Sequence, residues 1–280
     1  MLGYLNRYNN FEIPGFGALL RDKDTLFLPR YENFTNELAL TCIVVGLIFI
    51  AFGKQNNEDE LTAKMRLNAL YWAILINYTW YGVFIVLACF NAVILVPGIT
   101  VLVELAGENL AFMVYNLFTP LVIVLIRFYY LLYKSRDEYQ IKPIKFLPNK
   151  PYRIVGKILT LMMSIATILA QAFLDNENIG SMLFCLLPLI MLLWIYSNER
   201  EEDEYINSVR MDAMQIAVYV NYAILLAANM FVYGVSFYLV LLLNLVTIPV
   251  IFLATFNYRL YKIRQQQSSA GNTNITLGIL

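Results

Sequence analysis

The sequence has no histidine, only three cysteines, and charged residues at 14% of its 280 positions, where a soluble domain has about a quarter. Without histidine there is no imidazole base, no Ser–His or Cys–His nucleophile pair and no histidine metal ligand. Cys42, Cys89 and Cys185 lie far apart inside or beside apolar runs, with no C-x-x-C spacing. They read as small hydrophobic side chains, outside any metal or redox motif. Glycine phosphate loops, nucleophile elbows and paired catalytic carboxylates are also missing. No enzymatic activity, cofactor or metal is therefore expected. The N-terminus lacks a basic stretch followed by an apolar core, so it does not read as a cleavable signal peptide.

What the chain has in abundance is apolar surface: 60% hydrophobic and 15% aromatic residues, with twenty basic and twenty acidic side chains cancelling to zero. Such a chain belongs in a lipid bilayer. A helix needs about 20 apolar residues to cross the roughly 30 Å of hydrocarbon. Runs without charge cover 38–53, 67–103, 109–126, 158–174, 178–198 and 213–258. The last is too long for one crossing and must be a hairpin turning at Tyr233-Gly234-Val235-Ser236. In the second run Asn91 and Pro97-Gly98 act as punctuation, so 88–108 reads as a connection, interfacial or re-entrant. The expected fold class is all-α: a polytopic transmembrane helical bundle of about seven spans, at 36–53, 66–87, 109–133, 154–174, 179–197, 211–233 and 236–258.

Lysine and arginine set the orientation. With the N-terminus outside and the C-terminus in the cytoplasm, sixteen of the twenty basic residues fall on inner segments, and the outer loops at 88–108, 175–181 and 233–236 carry none. The expected location is a cell inner, or plasma, membrane.

The chain also resembles itself. EDELTAKMRLNALYWAILINY from Glu58 aligns without gaps to EDEYINSVRMDAMQIAVYVNY from Glu202, sharing Glu58/Glu202, Asp59/Asp203, Glu60/Glu204, Arg66/Arg210, Ala69/Ala213, Ala73/Ala217, Asn77/Asn221 and Tyr78/Tyr222. NLFTPLVIVLIRFYYLLYKSR from Asn116 matches NLVTIPVIFLATFNYRLYKIR from Asn244 at twelve of twenty-one positions. Coincident charged, Asn and Tyr positions point to an internal duplication. Four crossings separate the copies, so the repeats are parallel, unlike the inverted repeats of many transporters. The expected organisation is an extramembrane or interfacial segment 1–35, a three-span repeat 36–136, a basic cytoplasmic linker 137–153, a four-span repeat 154–264 and a disordered tail 265–280.

An E-D-E triplet, an arginine six residues on, an N-Y pair in the next span and an F-x-Y-x-L-Y-K exit together resemble small four-helix bacterial inner-membrane proteins of uncharacterised function, here as two tandem copies. The resemblance implies topology and a bacterial setting, and carries no activity.

Polar residues inside the spans are few. Asn77, Asn116, Asn221 and Asn244 all fall eleven residues from an inner helix end, about 16 Å deep at 1.5 Å per residue. With Thr119 and Thr247 they form a candidate midplane network. Two readings stand: interhelical glue, or a polar binding site at the depth where transporters hold substrates. No charge falls in the central part of a span, which argues against ion coupling. On the cytoplasmic face, Glu58, Asp59, Glu60 and Arg66 match Glu202, Asp203, Glu204 and Arg210 as charge clusters. Each triplet is expected to cap the helix that follows, with Glu60–Lys64 as an i,i+4 pair and Asp212 paired with Arg210 or reaching to water. Expected partners are membrane lipid and a protein partner or a second copy of the chain; a nucleic-acid platform is absent. The leading expectation is a non-enzymatic membrane protein that binds such a partner, and the alternative is a small-solute transporter or channel using the midplane asparagines.

Overall fold

The computed structural model describes residues 17–19, 31–33, 35–53, 60–94, 116–135, 144–173, 177–200, 203–232 and 235–277. Apart from a hairpin of three-residue strands, β1 (Gly17–Leu19) and β2 (Tyr31–Asn33), the elements are helical: α1 (Thr35–Phe52), α2 (Glu60–Ile94), α3 (Thr119–Ser135), α4 (Ile154–Phe173), α5 (Glu177–Ile195), α6 (Glu204–Phe231) and α7 (Val235–Leu277). A π-helical turn, Asn149–Arg153, leads into α4. Four stretches are long and apolar enough to cross a bilayer: Glu60–Ala88, Asn149–Phe173, Glu204–Phe231 and Leu239–Gln266, while Glu37–Phe52 and Ile179–Ile195 are shorter apolar helices. The protein is a helical membrane protein, and its outward-facing Phe49, Val86, Ile126, Leu161, Phe173 and Leu239 are the side chains lipid would cover.

Local chemistry sets several helix ends. Asp203 is extended, and its carboxylate accepts the Ile206 N–H at 2.7 Å, capping α6; this meets one of the donors a helix start leaves open. Glu60 pairs with Lys64 at 2.8 Å in the first turn of α2. Glu58, Asp59 and Glu202, the other members of the expected capping triplets, lie outside the described residues.

Three boundaries differ from the sequence expectation. Helix α2 runs through Asn91 to Ile94, because an interior asparagine lowers helix stability by only a few tenths of a kcal/mol. Helix α7 continues to Leu277 where disorder is expected; after Pro249 it meets no further proline, the residue that most disfavours helix. Helix α3 starts at Thr119 instead of Asn109. Residues 109–115 lie outside the described set, and 116–118 form a turn with Asn116 at φ 55°, a left-handed backbone that asparagine tolerates better than most residues. Pro120 follows in the first turn, where its missing N–H has no cost.

The helices pack as α2 on α3, α6 on α7, α1 on α3, α5 on α7, α1 on α6, α2 on α5, α2 on α6, and α4 on α5. Exchanging α1–α2–α3 for α5–α6–α7 leaves this set unchanged except for α4. The α2–α6 contact maps onto itself and so lies on the exchange axis. Helix α4 packs on α5 through its small face, Gly156, Thr160, Thr167 and Ala170. A Cβ at Gly156 would stand 2.7 Å from the Trp194 backbone nitrogen, so glycine is what permits this close approach.

Candidate functional site

Asn77 is the central residue of the 35-residue α2 and is 1% exposed. Its Nδ2 donates to Oδ1 of Asn116. Asn244, on α7, donates through Nδ2 to the Asn116 main-chain oxygen at 3.3 Å. Three of the four expected asparagines thus meet where α2, α3 and α7 converge. Asn221 on α6 is equally buried, yet neither its Nδ2 nor its Oδ1 has a hydrogen-bond partner, and Asn77 Oδ1 and Asn116 Nδ2 are likewise unmatched. Thr119 is buried in the first turn of α3. Thr247 is not part of the junction: its hydroxyl donates to Leu243 one turn back on its own helix, at 2.7 Å.

Two tyrosines complete the junction. Pro249 has no N–H, which leaves the Leu245 carbonyl one turn back without its helical donor. The Tyr78 hydroxyl donates to that carbonyl at 2.7 Å and also lies beside the Asn116 side chain. Its counterpart Tyr222, fully buried on α6, faces the backbone of Leu121 in the first turn of α3. The Leu121 N–H is a donor that the helix start leaves open. Both tyrosines therefore reach across to the third helix of the other half. The shared N-Y pair in the sequence was the available signal for them.

Bonds between the halves recur away from the junction. The Tyr81 hydroxyl of α2 donates to the Cys185 carbonyl on α5 at 2.7 Å. Asn229 of α6 donates to the Glu37 carbonyl at 2.9 Å and to the Thr41 hydroxyl at 3.3 Å, both on α1. Thr41 and Cys185 are separated by the same 144 positions as Arg66 and Arg210.

The end of the bundle where α2 and α6 begin gathers the charges. Arg210, 2% exposed, donates to the carbonyls of Ile195 at 2.7 Å and Ser197 at 3.1 Å. It is sandwiched between Phe146 and Phe256, with ring centroids 4.4 and 4.8 Å away. Asp212 bonds Arg259 at 3.4 Å instead of Arg210, since side chains two apart on a helix point in different directions. In the first half, Arg66 donates to the Gly53 carbonyl at 3.1 Å, and Arg127 donates to Asn68 at 3.2 Å while covering Trp72. Arg153 and Glu199 form a buried ion pair that sequence reasoning missed; Arg264 approaches the same carboxylate at 3.6 Å. The segment before α4 brings them together: Leu147 donates to the Tyr196 carbonyl at 2.8 Å and accepts from the Asn198 N–H at 2.9 Å.

No protein-family model matches the chain, and no curated protein or solved structure is significantly similar to it.

Proposed function

We propose that the protein is a non-enzymatic integral membrane protein of a bacterial inner membrane, a transporter or channel that passes a small polar solute through the junction of its two halves. This is the alternative of the sequence reading, and one observation moves it forward. Helix α3 begins just after the left-handed, buried Asn116 beside the middle of α2, where amide groups of Asn77 and Asn116 are left unmatched. Asparagines serving only as glue would satisfy one another, because a buried polar group left without a partner costs about 1–3 kcal/mol. Helix ends placed inside a bundle are also how transporters present backbone groups to a substrate. The lysine and arginine distribution supports placing the basic end in the cytoplasm, and the exchangeable packing supports a parallel duplication. The test is permeation: vesicles containing the full chain, challenged with formamide, urea and glycerol gradients in a stopped-flow light-scattering experiment, should shrink and recover faster than protein-free vesicles. Replacement of Asn77 and Asn221 by leucine, with the fold retained, should abolish the difference. Equal rates with and without protein would remove the reading. For topology, in a chain with its three native cysteines replaced, thiols introduced at Ser181 and Gln266 should label from opposite sides.

A second reading, a helix-helix partner on α1, has its own support. Ile43 is 46% exposed, while Leu187, its counterpart 144 positions on, is 8% exposed. Helix α4 covers α5, and α1 carries no equivalent helix among the described residues. Gly46 lies within this open face with nothing near its Cβ position. The partner it suits best is α1 of a second copy. Oxidation in native membranes should then link two chains through the exposed Cys42; monomer alone, with thiols at 43 and 49 also unlinked, would exclude it.

A further inference from the structure

We infer that the chain holds the phosphate of an anionic phospholipid against Lys157 and Arg264, with an acyl chain of that lipid laid along α4. The inference is independent of the solute junction. It needs only that Asn149–Phe173, one of the stretches long and apolar enough to cross a bilayer, does so. Arg153 and Lys157 then stand where this stretch enters the hydrocarbon, at the level of the lipid headgroups. Around them the charges do not balance. Glu199, 7% exposed, pairs through Oε1 with the buried Arg153, and Arg264 approaches its Oε2 at 3.6 Å. Lys157, four residues after Arg153, lies over the Trp194 ring at 5.5 Å. The charged groups that act on its ammonium are this same carboxylate and two cations, Arg153 and Arg264. Three positive side chains thus share one carboxylate, and two of them, Lys157 and Arg264, are exposed. Like charges held together repel, more strongly where water is scarce. A further anion relieves that repulsion, and at a bilayer surface the anion at hand is a lipid phosphate.

The surface beside these cations suits an acyl chain. Ile154, Ile158, Leu161, Ile165 and Ile168 are all exposed, and spacings of three and four residues put them in one stripe along the helix. Lys157 lies one turn before Leu161 and so stands at the head of this stripe. A soluble phosphate would use the cations and leave the stripe bare. A lipid without net charge would cover the stripe and leave the cations in excess. An anionic phospholipid matches both features. The buried Arg153–Glu199 pair is the floor of the site: it ties the entry of α4 to the end of α5, so that Lys157 from α4 and Arg264 from α7 are both held near Glu199.

Thermal unfolding of the full chain in dodecyl maltoside tests this, with three additions. Dioleoylphosphatidylglycerol has the chains and the charge, dioleoylphosphatidylcholine has the same chains without net charge, and glycerol 3-phosphate has the anion without chains. Phosphatidylglycerol should raise the midpoint saturably and the other two should not. Lys157→Gln and Arg264→Gln, both at exposed positions, should each weaken the apparent affinity for phosphatidylglycerol about fivefold. Lys64→Gln, which removes an exposed cation at the same end of the bundle, should leave it unchanged. If glycerol 3-phosphate stabilises as well as the anionic lipid, the ligand is a soluble phosphate and the lipid assignment fails. If both lipids stabilise alike, or if Lys64→Gln weakens the response as much as Lys157→Gln, the effect is a general one and the site falls. It falls as well if phosphatidylglycerol leaves the midpoint of the native chain where it was. Solute permeation through the junction is read separately, so failure here leaves that reading standing.

Discussion

Arg210 donates to the carbonyl of Ser197 thirteen residues earlier in the chain, at 3.1 Å. Arg66 makes the same bond to Gly53 at the same separation and the same distance. Each arginine ties the start of the second helix in its half to the end of the first. The two differ in surroundings. Arg210 is enclosed by Phe146 and Phe256, whereas Arg66 is partly exposed and lies 5.6 Å from the Phe128 ring centroid.

That difference predicts unequal effects of substitution. Arg210→Ala should lower unfolding free energy by about 3 kcal/mol, from two charge-assisted bonds and two aromatic contacts. Arg66→Ala should cost less than half as much. Arg210→Lys should recover only part of the loss, because an ammonium does not reproduce the planar fork. Chemical unfolding of each variant in detergent measures the ordering, and equal losses for the two alanine variants would contradict it.

Tyr78 and Pro249 form a coupled pair through the Leu245 carbonyl. Tyr78→Phe should cost roughly 1–2 kcal/mol, in the range of hydrogen bonds between membrane helices. Pro249→Ala restores an N–H to α7, so in that background the same tyrosine substitution should cost markedly less. A double-mutant cycle in the unfolding experiment reads the coupling; additive effects would mean that Tyr78 does not substitute for the missing amide.

Glu199→Gln should be among the most destabilising single changes at the basic end. It leaves the Arg153 guanidinium buried without its counter-charge, a loss of about 3–5 kcal/mol for such pairs. Substituting both partners by leucine and methionine should be much milder than either single change. Thermal midpoints of the three variants decide the matter.

Gly156→Leu should detach α4 and spare the rest of the bundle, since α4 packs on α5 and on the turn before it. Thiols placed at Gln171 and Gly180, which face each other across this pair, should crosslink in the native background and fail to do so in the leucine variant. The Tyr81–Cys185 and Asn229–Thr41 bonds lie outside that interface, so thermal unfolding of the remaining helices should stay cooperative.

The hairpins α2–α3 and α6–α7 and the two asparagines of each were readable because repeated charged and amide positions survive the apolar background. The left-handed turn at Asn116 was not. Asn116-Leu117-Phe118-Thr119 and Asn244-Leu245-Val246-Thr247 agree at three of four positions, yet the first is a left-handed turn and the second is helix. Local propensity does not separate them; the bundle decides. Arg153 and Glu199 were equally opaque. They stand 46 residues apart, and only the pairing of Leu147 with Tyr196 and Asn198 carries one to the other. Arg210 was legible as a conspicuous position and illegible as a buried one, since its carbonyl partners come from the end of α5 and one of its aromatic covers from residue 146.

The continuous α7 opposite the turn before α3 has a bearing on symmetry. Two identical subunits meeting about the α2–α6 contact would each present the same backbone at this level. With both halves in one polypeptide, a proline and a tyrosine close the Leu245 carbonyl in one half alone, so the two halves are free to differ where they meet.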